Sequence, residues 1–479
     1  MTDKHDILRK TVNRCRERSL VLPTYAQMRN PETIPAAIRK RIEQTPIDAV
    51  KPENLFRITW KNDPVTGGFH GVNFLELPPE LTGVPVRIVG LVGKHFPTGA
   101  HKVGATYGCL VPELISGRFD PDQKKAVWPS TGNYCRGGAF NSALLDVHSI
   151  AILPEEMSQE RFDWLKEIGS EVIATPGCES NVKEIYDMCD ELRATRDDVV
   201  VFNQFDQFGN GMWHYQLTGA AFEEVYREFY ADSNPALYIS ATGSAGTLAA
   251  GDYLKEKYHG LKIVASEALQ CPTIYQNGFG GHRIEGIGDK HIPWIHNVKN
   301  TDAIAAIDDQ DCMEILQLFN TDCGKEYLRN EGIKPELIEA LSLLGISSIG
   351  NLLSAIKAAR YFELTEKDMI FTVFTDSADM YESRVADLEM SNPCNEAQAQ
   401  VVLRRALQGQ RTDWFKELNY LERKQIHNLK YFTWVEQQGK DVEELNRQWY
   451  DSAYWHDKFS PVDELDDQIR KFNGMVAGD

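Results

Sequence analysis

Residues 86–104 run Val86-Arg87-Ile88-Val89-Gly90-Leu91-Val92-Gly93-Lys94-His95-Phe96-Pro97-Thr98-Gly99-Ala100-His101-Lys102-Val103-Gly104. The first seven are mostly apolar and rich in Val and Ile, the composition of a buried strand. A Gly/Pro loop follows, and then a lysine set among small residues. Outward from this unit the same order recurs. Short apolar runs lie at 126–128, 150–153, 172–174, 199–202, 237–240, 263–265 and 370–374. Helical patterns at 156–168, 182–192, 216–229 and 248–257 fall between them. Strand and helix in alternation predict a parallel α/β architecture with its ligands at the carboxyl ends of strands.

The flanks differ. Residues 1–83 mix a helical pattern at 35–42 with Gly/Pro-rich loop and are expected to form an N-terminal extension. Residues 391–479 are helix-rich, carry Trp414, Trp434, Trp449 and Trp455, and show no strand signal. They are expected to form a helical C-terminal extension, either a packed appendage or a lid or oligomerisation element. The core is then 84–390, in two α/β subdomains, the smaller at roughly 107–205.

Composition narrows the function. The formal net charge of −19 argues against nucleic acid and anionic membrane as partners, since both need basic surface. The N-terminus Met1-Thr2-Asp3-Lys4-His5-Asp6 has no apolar core of a signal peptide, and no run approaches a membrane span. Nine cysteines without a Cys-x-x-Cys pair fit a reducing compartment, so a cytoplasmic location is expected, and no metal-ligand pattern is seen.

Four local patterns carry chemistry. Lys102 follows a strand in a small-residue loop; Gly99, Ala100, Gly104 and Ala105 would leave room for a bulky group, and a sheltered lysine can lose its proton and attack an aldehyde. The alternative is an ordinary solvated lysine. Ser130-Thr131-Gly132-Asn133 can hold a carboxylate through its hydroxyls and N–H groups, with Asn133 on a ring oxygen, or can be a simple N-cap. Thr242-Gly243-Ser244-Ala245-Gly246-Thr247 joins a strand to a helix; its small residues suit a phosphate at the helix N-terminus, or a tight turn. Phe374-Thr375-Asp376-Ser377-Ala378-Asp379 follows a strand and either offers a polar group to a pyridine nitrogen or is another polar loop after a strand. Together they point to pyridoxal phosphate held on a lysine.

Over roughly 80–390 the chain resembles the fold-type II pyridoxal phosphate enzymes: cysteine synthase, cystathionine β-synthase and the tryptophan synthase β subunit. Thr98-Gly99-Ala100-His101-Lys102 resembles the lysine segment of tryptophan synthase β, and Ser130-Thr131-Gly132-Asn133 the loop that holds the substrate carboxylate. Pro154-Glu155-Glu156-Met157-Ser158-Gln159-Glu160-Arg161, Gly169-Ser170-Glu171, Thr175-Pro176-Gly177 and Gln204-Phe205-Asp206 resemble the cysteine synthase pattern. Gly243-Ser244-Ala245-Gly246-Thr247 resembles the phosphate cup, Glu285-Gly286-Ile287-Gly288 the loop closing over the site, and Asp376-Ser377 the pyridine-nitrogen site.

The resemblance implies a tryptophan synthase β-like two-domain fold and a lyase or synthase. Lys102 would be catalytic. Cofactor contacts fall on Lys102, His101, Asn133, Gly243, Ser244, Ala245, Gly246, Thr247 and Ser377. Substrate contacts fall on Ser130, Thr131, Gly132, Asn133, Tyr134 and Gly286. It implies chemistry at the β-carbon of a small amino acid through an aminoacrylate, by β-replacement or β-elimination, in a homodimer. A dehydratase, ammonia-lyase or racemase of the same fold, or a non-catalytic subunit, are the alternatives. Tyr134 departs from the family's small hydroxyl residue and Ala245 from its common glycine. Arg136 is either a cation for an anionic substrate group or a helix-surface arginine, and His282 and Arg283 are candidates for the specificity wall. Cys135 is either reactive or an inert buried thiol.

Overall fold

The computed structural model describes residues 4–478 apart from 131, 158, 178–181 and 289. Among these residues eleven strands form two sheets. They are β1 (Phe74–Leu77), β2 (Arg87–Val92), β3 (Lys125–Pro129), β4 (Ser149–Pro154), β5 (Glu171–Thr175), β6 (Val199–Val201), β7 (Asn234–Ala241), β8 (Lys262–Ala268), β9 (Ala303–Ile307), β10 (Asp368–Phe374) and β11 (Phe415–Glu417). The larger sheet has the order β1-β2-β10-β7-β8-β9-β11 and the smaller β5-β4-β3-β6. All neighbours are parallel except at the two edges of the larger sheet, where β1 pairs with β2 and β11 with β9 antiparallel.

Parallel strands covered on both faces are expected to be continuously apolar. β2, β4 and β10 are buried at nearly every position. Successive side chains in β7 point to opposite faces: Leu237 and Ile239 join the helix Ile346–Tyr361, while Tyr238 joins the helices Gly219–Phe229 and Leu248–Lys257. The expected strands are all present. β9 was not expected, because its Ala-Ile-Ala-Ala-Ile sequence lacks strand-forming bulk. The tail, read as strandless, supplies β11, which covers the edge of β9.

The two ends of the chain close on each other. The N-terminal helix Lys4–Glu17 packs on the C-terminal helix Val462–Ala477, and Arg16 Nη2 donates to the Met475 carbonyl at 2.6 Å. Asp466 accepts the N–H groups of Tyr25 and Ala26 at 2.6 and 2.9 Å, and so caps the helix Tyr25–Arg29 across the whole sequence.

Candidate active site

Two close approaches place the lysine loop. At the end of β2, a Cβ on Gly93 would lie 2.2 Å from the Thr375 carbonyl, so only glycine lets this strand end meet the loop after β10. Lys102 then opens the helix Lys102–Ile115, which packs on the helix Phe208–Trp213 through a glycine pair. A Cβ on Gly108 would meet the Gly209 oxygen at 2.4 Å, and one on Gly209 the Gly108 oxygen at 2.2 Å. Gly104 belongs to the same packing: its Cβ would strike Trp213 at 2.0 Å. The space that Gly104 leaves is filled by the Trp213 ring, not by a ligand.

One pocket collects His101, Lys102, Ser130, Asn133, Tyr134, Gly243, Ser244, Ala245, Thr247 and Gly286. These come from the lysine loop, the loop after β3, the loop after β7 and the loop after β8. Lys102 Nζ donates to Ser244 Oγ at 3.2 Å. Burial pulls its pKa from 10.5 to about 8, and no carboxylate pairs with it among the described residues. His101 is fully buried, shares a 3.2 Å contact between Nε2 and Thr375 Oγ1, and stands edge-on to His214 at 4.7 Å. Burial, then the Lys102 charge, hold it well below the usual histidine range, so it is neutral.

The loop 243–247 is built as an anion cradle. Among the described residues no backbone N–H from Gly243 to Thr247 finds an acceptor. Ala245 sits at φ 63°, a left-handed conformation that costs a non-glycine residue about 1 kcal/mol. Gly246 is fixed by packing, since a Cβ there would lie 2.1 Å from Asn210 Oδ1, and Asn210 Nδ2 in turn donates to Ser244 Oγ at 2.9 Å. Further unpaired buried atoms are Asn133 Oδ1, Asn351 Oδ1 and His101 Nδ1, on three residues that line the same pocket. A row of N–H donors, a lysine with a lowered pKa and unpaired polar atoms match the phosphate, aldehyde and ring substituents of pyridoxal phosphate. The residues present fit that group.

Asn133 Nδ2 donates to Asp376 Oδ2 at 2.7 Å, and Tyr381 OH donates to the same oxygen at 2.8 Å. Behind them lies Arg161, fully buried, 3.5 Å from Tyr381 OH and paired with Glu285 at 3.2 Å. Its Nη1 would lie 1.5 Å from a Cβ on Gly132, so that glycine lets the loop lie directly on the guanidinium. Glu285 also accepts from Arg384 Nε at 2.8 Å.

Several expected site residues fall elsewhere. Thr131 lies outside the described residues. Gly132 and Gly246 support the pocket without lining it. Ser377 is buried but does not line it; Thr375 of the same loop does. Arg136 is neither on the surface nor on the lining: it is 9% exposed, its guanidinium lies 4.5 Å over the Trp164 ring, and Nη1 points at Met380 Sδ at 3.2 Å. His282 and Arg283 line a separate cavity with Glu285 and Arg384. Burial pushes the Cys135 thiol up to about 12, which leaves no thiolate at neutral pH. Thr375, Asn351 and Gln204 line the pocket without having been singled out as ligands in the sequence.

A lysine at the mouth of a doubly sheeted α/β fold, facing a helix-capped anion cradle, defines a cofactor-dependent enzyme. A model of the pyridoxal-phosphate dependent enzyme family matches residues 92–345, more than half of the chain, and the chain belongs to that family. It is 24% identical over 324 residues to the cystathionine beta-synthase of Saccharomyces cerevisiae, a match that spans 66% of this chain and 61% of that enzyme. It is 30% identical over 256 residues to the cysteine synthase of Staphylococcus aureus, 53% of this chain and 74% of the relative. Among solved structures, O-acetyl serine sulfhydrylase isoform 3 from Entamoeba histolytica superposes with TM-score 0.57 at 22% identity, covering 71% of this chain and 94% of that one. The O-acetylserine dependent cystathionine beta-synthase from Helicobacter pylori gives TM-score 0.54 at 22% identity, with 65% and 94% covered. These neighbours share the two-domain fold-type II architecture.

Proposed function

We propose that the enzyme acts at the β-carbon of a small amino acid, by β-replacement or β-elimination, with Lys102 as its catalytic group. The observation that carries this reading is the placement of Lys102 Nζ against the unpaired N–H cradle at 243–247. Bound there, pyridoxal phosphate supplies an electron sink for negative charge at the substrate α-carbon. The protein does the rest. The 243–247 loop and the N-terminus of the helix Leu248–Lys257 hold the phosphate, with His101 beside them. Lys102, once freed, takes and returns the α-proton; an amine with a pKa near 8 is suited to both directions. Ser130 and Asn133, which line the pocket, grip the substrate carboxylate, with Thr131 and Gly132 of the same loop assigned to it by family pattern, and Tyr134 and Gly286 bound the space around its side chain. A neutral hydroxyl from the loop after β10, Thr375 by its position on the lining or Ser377 by family pattern, meets the ring nitrogen.

The same reading takes 84–390 as the catalytic core and the two flanks as extensions packed on it. It takes the enzyme to be a homodimer, as the family resemblance implies. It places the enzyme in the cytoplasm, which is supported by the eight described cysteines all being free. Among the described residues no single helix is long and apolar enough to cross a membrane.

The test is a visible absorption titration of the holoenzyme with serine, O-acetylserine, cysteine, cysteate, threonine and diaminopropionate, followed by product analysis. A spectral shift with one of these, and a keto acid or a new β-substituted product, is expected. An inverted substrate as sole product would make the enzyme a racemase. No response from any of the panel, or substantial turnover by Lys102→Ala, would overturn the assignment.

A further inference from the structure

A second cavity of about 410 Å³ lies on the seam between the core and the C-terminal tail. The core side is formed by Tyr215, by the helix Leu248–Lys257 and by the turn around Asn297; the tail side is formed by Asp451 and by the helix Tyr454–Phe459. None of these residues belongs to the catalytic pocket.

Three carboxylates line it, Asp252, Glu256 and Asp451; Asp451 is already paired with Arg447 at 3.6 Å, and Asp252 is the one that lacks a cation among the described residues. Asp252 is 7% exposed and makes no ion pair among the described residues; Asn300 Nδ2 donates to it at 2.5 Å. Burial outweighs that bond, a bond from Asn297 and the more distant Lys255 charge, and holds its carboxyl at about 7. Asn297 Oδ1 is buried on the same wall without a donor. Glu256 accepts from Tyr215 OH at 2.6 Å, and its nearest basic group is His456 at 3.8 Å. The two lysines at the rim are turned away: Lys255 is held by Asp302 at 2.7 Å and by the Asn300 carbonyl, and Lys299 donates to the Trp449 carbonyl at 2.8 Å. Trp455 and Tyr215 add ring faces to the wall. Carboxylates, an unpaired amide oxygen and aromatic faces are the complement of an ammonium ion. A bare metal does not suit the site, since among the described residues no three His, Cys, Asp or Glu side chains are grouped to hold one.

We propose that this seam cavity binds a small organic cation carrying a primary ammonium group, which pairs with Asp252 and Asn297 and lies against Trp455. The site is independent of the catalytic reading above. The test is calorimetric titration of the holoenzyme with putrescine against sodium chloride at matched ionic strength. Visible absorbance is followed in parallel, so that any exchange at the cofactor is seen separately. One saturable event without a change in absorbance is expected, weakened at least tenfold in Asp252→Asn and in Trp455→Ala. No such event, an event reproduced by sodium chloride alone, or one undiminished in both variants would overturn the proposal.

Discussion

On the proposed reading, Lys102 owes its reactivity to what its ammonium lacks. It has a serine hydroxyl at 3.2 Å and, among the described residues, no carboxylate partner, in a site where burial penalises the charged form. Its folded pKa of about 8 lies below the unfolded 10.5, so the folded protein releases the proton first. The apoprotein therefore carries the full burial penalty below about 8 and gains stability as pH rises from there towards 10.5. Only the neutral amine attacks an aldehyde. The rate of cofactor capture by apoprotein is thus expected to rise about tenfold per pH unit on the acid side and to level off above about 8. Stopped-flow visible absorbance measures this directly. A rate that is flat across roughly pH 6–9 would mean that the lysine is already neutral or does not form the bond. Arg136 is a second buried cation, with a sulfur and an indole face as neighbours; burial and the nearby Arg161 pull it down only to about 10, so it stays charged at neutral pH.

At the scale of elements, the site depends on one helix pair. The helix Lys102–Ile115 carries the lysine at its first residue and can approach Phe208–Trp213 only because Gly108 and Gly209 face each other. Gly108→Ala pushes a methyl group against the Gly209 carbonyl, where backbone must move. A loss of about 1–3 kcal/mol is expected from the overpacking, together with weaker cofactor retention because the helix start shifts. Thermal denaturation and the holoenzyme's visible spectrum check both; an unchanged melting temperature would show that the helices slide freely. This pairing was not legible in the sequence, where glycines beside a lysine look like room for a ligand. What was legible is local. The strands announced themselves by β-branched runs, and the lysine, Ser130-Gly132-Asn133 and 243–247 loops by small and polar residues at strand ends. What escaped is tertiary. Asn351 is one polar residue inside the buried helix Ile346–Tyr361, and nothing in its neighbours marks it as facing the pocket. Nor does a polar loop disclose which of Thr375 and Ser377 turns inward.

At the scale of the whole molecule, the tail is fastened to the core by a buried cation. Lys430 is fully enclosed, and its ammonium donates to the carbonyls of Trp294 and His296 at 2.9 and 2.7 Å and to Gln448 Oε1 at 2.7 Å. Trp455 lies 5.3 Å away, and no carboxylate pairs with it among the described residues. Burial pulls its pKa well down, and its charge in turn helps hold His296 at about 3. Two of these acceptors belong to the core segment that follows the Gly286 loop; the third belongs to the tail. The ammonium therefore ties the C-terminal extension to the core backbone at 294–296. Lys430→Ala removes three hydrogen bonds and strands the Trp294 carbonyl and Gln448 Oε1, while the His296 carbonyl keeps the Val298 N–H at 2.9 Å. At about 1 kcal/mol for each hydrogen bond, a loss of roughly 3 kcal/mol is expected. The loss should fall on the tail first, because β1–β10 make no contact with this side chain's bonds. Limited proteolysis of the variant should cut within 391–479 before the core, while the wild type resists at both. Simultaneous loss of tail and core would mean that the extension and the catalytic core unfold as one cooperative unit.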